Sequence, residues 1–169
     1  MHQNFDRSLA LVLRSEGGFV NNSKDPGGAT NKGITLETFR ATLKAGATVA
    51  DLKAITPAQV AAIYRKHYWD AVRGDDLPSG LDYAVFDYAV NSGPGRAAKH
   101  LQGAVGAPVD GAIGPTTLNA VHKARASDVI KVLCAARLRF LQGLPTWQTF
   151  GRGWGSRVTQ VQATALAMA

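Results

Sequence analysis

Apolar residues recur at helical spacing at the start of the chain, where Phe5, Leu9, Val12 and Leu13 fall on one stripe. This predicts an amphipathic helix with a single buried face. The pattern breaks at Gly17-Gly18, residues able to take the left-handed conformation that closes a helix, so Glu16 is expected in its last turn. Phe19 and Val20 can start a strand, Asn21-Asn22-Ser23 can turn it, and Asp25-Pro26-Gly27-Gly28 is a second dense turn signal. About residues 19 to 34 therefore read as a small irregular hairpin, with Thr35 behind it as the N-cap of the next helix.

From Thr35 onward the pattern is helical with short breaks. One helix runs to about Ala45 and ends at Gly46, and Thr48 to Lys53 is a short turn. Thr56-Pro57-Ala58-Gln59 has the form of a capping box with proline at the first helical position, opening a helix to about Tyr68 with Ile63, Tyr64 and His67 on one face. Leu81 to about Asn91 is apolar on nearly every side and is the predicted central buried helix; Asp87 inside it needs a partner, with arginine the natural one. Helices follow from Pro94 to about Val105 and, after a tight turn at Asp110 to Pro115, from Pro115 to about Lys123. Ser127-Asp128 is expected to cap a long helix through about Gln142, and Gly151 to Gly155 reads as a loop before a last helix to Ala165. The expected class is mainly α with a small β-hairpin after the first helix.

Composition narrows the picture. At 169 residues the chain suits one domain, large enough to bury roughly two-thirds of its unfolded surface. A 46% hydrophobic and 18% charged composition is ordinary for a globular protein, and no run reaches membrane-spanning length, so no stable membrane insertion is expected. The first residues lack a basic n-region and a small-residue cleavage site, the marks of a classical export signal. A formal charge of +7 implies attraction to polyanions. The basic residues are dispersed through helices, with no zinc-finger, RNA-binding or basic-zipper pattern, which argues against nucleic acid. The single Cys134 sits in an apolar helical context and reads as a buried structural thiol. His2, His67, His100 and His122 form no arrangement that would activate it, and no two of them lie at helical metal-ligand spacing, so neither a metal nor another cofactor is expected.

The chemistry concentrates in residues 16 to 35. The chain has only two glutamates, Glu16 and Glu37, and one of them stands where a helix breaks. Apolar neighbours and the negative end of a helix dipole would both disfavour its charge, as suits a general acid; the alternative is a solvated glutamate at a helix end. A glycosidase generally needs a second carboxylate across the scissile bond. Asp25 is the candidate, against a role in the turn before Pro26, and Thr30 could orient a water through its hydroxyl. Trp69 could be a sugar-stacking platform or a core anchor. Trp147, Phe150 and Trp154 pack the last helices together or line a groove.

The segment SEGGFVNNSKDPGGATNKGIT resembles the signature of glycoside hydrolase family 108, the phage endolysin and prophage muramidase group with a lysozyme-like fold. FDYAVNSG and DGAIGPTTLNAV resemble the predicted peptidoglycan-binding region that accompanies it. The resemblance implies one lysozyme-like domain over residues 1–169, with a catalytic lobe at 1–92 and a helical lobe at 93–169. It puts the catalytic acid on Glu16. The order of Glu16, Asp25 and Thr30 is similar to the catalytic order of phage-type lysozymes, where the last interval is one residue longer. It also places Asn91 in the cleft as a ligand for an N-acetyl group or the attacking water, with a helix-capping role as the alternative, and Tyr88 is assigned to the substrate-binding residues with it. The implied activity is hydrolysis of the β-1,4 bond between N-acetylmuramic acid and N-acetylglucosamine by a monomer whose partner is bacterial peptidoglycan. Such an enzyme would be held in the host cytoplasm before lysis and act in the periplasm or wall. A lytic transglycosylase relying on Glu16 alone, or a non-catalytic wall-binding or secretion-assisting protein, are the competing readings.

Overall fold

The computed structural model describes residues 2–21 and 28–169, the side chains of residues 2 and 3 apart, and the chain falls into two compact units. One consists of Leu9–His67; the other joins Met1–Ser8 to Tyr68–Ala169. Helix α1, His2–Leu13, begins in the second and ends in the first. Its stripe is buried as the spacing predicts, at Phe5, Leu9 and Val12.

The Leu9–His67 unit holds the sheet. Strands β1 (Val20–Asn21), β2 (Ala29–Asn31) and β3 (Ile34–Thr35) pair antiparallel in that order, Val20 opposite Thr30 and Thr30 opposite Thr35. Three strands thus replace the expected two. β2 alternates as a half-buried strand should: Ala29 and Asn31 are buried, and Thr30 between them is half-buried. Asn31 donates from Nδ2 to the Leu52 and Lys53 carbonyls at 3.0 and 3.3 Å, which ties the sheet to α3 (Val49–Lys53). Between β2 and β3, Lys32 (φ 50°) and Gly33 (φ 74°) form a two-residue turn with both central φ angles positive, the form that matches strand twist.

Helix α2 covers Leu36–Thr42, and Thr35 caps it by accepting from the Thr38 amide at 3.1 Å. It stops short of the expected Ala45. Thr48 to Lys53 is more than a turn: Thr48 and Asp51 form a capping box that opens α3. The second box, Thr56 with Gln59, opens α4 (Pro57–Tyr64) as predicted, and the chain runs on through a π-helical turn at Arg65–Trp69.

In the other unit, α5 (Leu81–Ser92) is the central buried helix, against α6 (Pro94–Val105), α8 (Ala126–Gln142) and α9 (Trp147–Met168). Asp87 on α5 is 1% exposed and is met by two arginines, Arg137 at 2.7 Å and Arg157 at 3.0 Å. This bears out the expected pairing. Asp82, in the first turn of α5, accepts from Asn4 Nδ2 at 2.8 Å, yet burial holds its carboxyl above the ordinary range. α7 (Pro115–Lys123) follows the Asp110–Pro115 turn, which is held by buried Gln102: its Nε2 donates to Asp110, Ala112 and Thr117 and its Oε1 accepts from the Gly111 amide. Two expectations fail here. The N-cap of α8 is Arg125, which makes no side-chain cap hydrogen bond among the described residues, and Ser127 and Asp128 lie inside the first turn. Gly151 to Gly155 is helix, because the Trp147 indole lies over that face: a Cβ on Gly151 would come within 2.5 Å of the ring. Aromatic packing outweighs the poor helix propensity of glycine. Cys134 is buried, and burial pushes its thiol up to about 11.

Candidate active site

Glu16 reaches its position by a tightening of the chain after α1. The helix ends at Leu13, and the next three amides bond three residues back: Arg14 to Leu11 at 3.3 Å, Ser15 to Val12 at 2.9 Å and Glu16 to Leu13 at 3.4 Å. These short-range bonds satisfy the carbonyls that a helix leaves open at its end. Glu16 therefore follows the helix rather than ending it, and Gly17 and Gly18 are exposed without the positive φ expected of them.

The surroundings of its carboxyl group come from two distant segments. A Cβ placed on Gly33 would fall 2.9 Å from Glu16 Oε2 and 2.6 Å from Tyr64 Oη. Carboxylate and phenol thus share the space above the one residue of the β2–β3 turn that has no side chain. Gly33 is also the residue best suited to a φ of 74°. Tyr64 is buried on α4 and donates from Oη to the Lys32 carbonyl at 2.8 Å. That bond fixes the turn whose Lys32 holds a left-handed backbone, a conformation that disfavours a side chain by about 1–2 kcal/mol. Glu16, half-exposed as a residue, thus has its carboxyl group seated on glycine backbone beside a phenol. Gly33 and Tyr64 were not singled out from the sequence; the signal was the Asn-Lys-Gly run after a strand, a two-residue hairpin turn.

The other candidates divide. Thr30 stands at the centre of the sheet, its side chain on the face opposite Ala29 and Asn31. Asp25 lies outside the described residues. Asn91, in the other unit, is half-buried in the last turn of α5, where the Ser92 hydroxyl donates to its Oδ1 at 3.0 Å. Trp69 and Tyr88 must be corrected. Trp69 is 1% exposed, edge-on to Phe5 and Phe86 at 5.3 Å from each, and donates from Nε1 to Asp75. Tyr88 is 0% exposed, its hydroxyl 2.9 Å from His100 Nδ1 and its ring 5.1 Å from the Arg137 guanidinium, and burial pushes its pKa up to about 12. Neither offers a face to a sugar; both are core. Among the described residues, no group of three or more His, Cys, Asp or Glu side chains is gathered as a metal site.

The segment that contains Glu16, Thr30, Gly33, Tyr64 and Asn91 is the one that matches a known family: residues 9–93 fit the model described as Glycosyl hydrolase 108. The chain belongs to that family. A second model, described as Predicted Peptidoglycan domain, matches residues 96–159 of this glycosyl hydrolase 108 protein. Among solved structures it is similar to that of Brucella abortus SagA, with a TM-score of 0.86 and 49% identity over 99% of this chain and 96% of that one. No curated protein shows significant similarity to it. The fold is accordingly the mainly α, lysozyme-like one, and the chain is a glycosyl hydrolase acting on peptidoglycan.

Proposed function

We propose that the protein is an N-acetylmuramidase of the endolysin type, hydrolysing the β-1,4 bond between N-acetylmuramic acid and N-acetylglucosamine with Glu16 as general acid. The observation that carries this reading is the seat of Glu16: an acid packed against a glycine that tolerates no side chain, inside the segment matched to the hydrolase family. The Glu16 carboxyl protonates the glycosidic oxygen as the bond to the anomeric carbon lengthens and positive charge grows on the sugar ring. Asp25 is the second carboxylate of this scheme, steadying that charge or drawing a proton from the incoming water, and Thr30 orients the water through its hydroxyl. Asn91 holds an N-acetyl group of the substrate. The region matched to the peptidoglycan model holds the wall. The protein is made in the cytoplasm of a host carrying a phage or prophage and acts on the wall from the periplasmic side.

Digestion of purified peptidoglycan, with the products read by mass spectrometry, tests the reaction. Hydrolysis leaves muramic acid as a reducing end with one added water, whereas an anhydro-muramoyl product would identify a transglycosylase and overturn the hydrolase. Glu16→Gln keeps the size of the side chain and removes the proton, so turnover should fall by at least about a hundred-fold. A folded Glu16→Gln protein that cuts walls at the wild-type rate would sink the assignment of the acid. Charge supplies a second check: with a surplus of +7, cleavage of whole walls should weaken more with added salt than cleavage of short neutral glycans. Equal salt dependence on both would remove the steering role of the surplus charge.

A further inference from the structure

The unit that contains Tyr68–Ala169 has a pocket of about 520 Å³ on the outward face of α6, lined by Gly95, Arg96, Lys99, His100 and Val109. Arg96, Lys99 and His100 recur at helical spacing, so their side chains gather on one face of α6. Val109, 57% exposed, enters from the connection to α7.

Two of the three polar side chains, Arg96 and His100, are braced by aromatic rings, and the third passes close to a glycine. The Arg96 guanidinium lies 4.1 Å from the centre of the Phe140 ring, a cation–π contact that limits its swing. The Lys99 stem runs past Gly111, where a Cβ would stand 3.1 Å from Cε. The His100 ring is set edge-on to Phe140 and Tyr88, with Nδ1 2.9 Å from the Tyr88 hydroxyl. Burial keeps that phenol protonated, and burial together with Arg96 and Arg139 lowers the His100 pKa, so the ring is neutral near pH 7. His100 is the acceptor that the Tyr88 hydroxyl meets among the described residues. A neutral imidazole that accepts at Nδ1 carries its own proton on Nε2. Among the described residues, no carboxylate lines the pocket, and Asp110, next to Val109, is turned away to Gln102 and the Ala112 amide.

We propose that this pocket binds the free terminal carboxylate of a peptidoglycan stem peptide, with Arg96, Lys99 and the Nε2 proton of His100 as donors and Val109 against the methyl group of the terminal residue. The proposal rests on peptidoglycan being the substrate. The mixture of donors with an apolar wall suits an acid on a carbon skeleton better than inorganic phosphate, which has no apolar body. Holding the peptide here would make the protein distinguish stems with a free end from those whose terminal carboxyl is amidated or cross-linked.

The test is calorimetric titration of the full chain with a synthetic stem tetrapeptide ending in D-alanine, as the free acid and as the terminal amide. The acid should bind, and the amide about tenfold more weakly, the scale of one charge-assisted pair. Arg96→Gln and Lys99→Gln should each weaken the acid by about tenfold, while Lys131→Gln, which removes a charge from an exposed position on α8, should leave it unchanged. Since Arg96 packs on a ring, Lys99→Gln decides the outcome if Arg96→Gln fails to fold. Any one of four results overturns the proposal: no binding of the acid, equal binding of acid and amide, equal weakening by Lys131→Gln, or displacement of the peptide by inorganic phosphate more readily than by acetyl-D-alanine. Wall digestion is read separately. Walls cut without peptide binding would remove the pocket alone, and peptide bound with walls uncut would remove the hydrolase reading alone.

Discussion

Two acids in this molecule, Glu16 and Asp87, sit in opposite kinds of surroundings. Asp87 is in the middle of a helix buried on all sides, with an arginine at 2.7 Å and another at 3.0 Å. Glu16 is half-exposed in a turn between a helix and a short strand, over the bare backbone of Gly33. A buried carboxylate keeps its charge only when counter-charges and hydrogen bonds replace water. An acid that must exchange a proton with a substrate needs room on one side. The contrast therefore separates a group enclosed in the fold from one that stays half-exposed, and it does so by geometry rather than by residue type.

Exchanging each acid for its amide should give opposite results. Asp87→Asn leaves the buried Arg137 and the half-buried Arg157 with a neutral partner and should lower stability by about 3–5 kcal/mol in denaturant unfolding. Glu16→Gln should unfold with the wild type while losing its cleavage of walls. A stable Asp87→Asn protein, or a Glu16→Gln protein that unfolds early, would erase the distinction.

Gly33→Ala sharpens the active side of the contrast. The left-handed backbone should make it about 1–2 kcal/mol less stable, and the added methyl would push on Glu16 Oε2 and Tyr64 Oη. The loss of rate should appear in kcat more than in KM, because the group moved is the proposed acid. A wild-type kcat would show that Gly33 does not seat the carboxyl group.

The smallest effect belongs to the structural side. Tyr88 has its pKa raised from 10.0 to about 12 by burial, so between these values the unfolded chain gives up a proton that the folded chain keeps. Stability from this group is complete below pH 10 and falls as pH rises toward 12, with a slope of about 1.4 kcal/mol per pH unit at most. Tyr88→Phe should lack that share of the alkaline slope when unfolding is followed from pH 9 to 12. An identical slope in both proteins would mean that Tyr88 ionises as freely in the fold as out of it.

Much of the helical half was legible because its signals are long or local. The apolar circumference of α5 needs no partner to be seen, and the Thr56 box lies within four residues. Asp87 announced its arginines by being charged in such a helix. Signals that depend on distant contacts were not readable. β3 is two residues long, too short for an alternating pattern, and the glycines of α9 read as a loop until Trp147 is laid over them. The burial of Tyr88 was already legible in α5, and its assignment to the substrate went against that pattern, whereas Trp69 stood open between core anchor and sugar platform until Phe5 and Phe86 are laid against it. At the candidate site, the place of Glu16 close behind the end of α1 was readable from its own neighbours, whereas Tyr64 lies far along the chain.

The bond from Tyr64 to Lys32 joins residues 32 apart in sequence, and this sets an order in time. During synthesis Glu16 emerges well before Tyr64, and a seat that requires residue 64 cannot exist until that residue has been made and its helix has docked. A ribosome-bound fragment ending before α4 carries the acid without the phenol beside it. The proposed acid is thus translated before its seat, which is complete only once residue 64 has been made and folded.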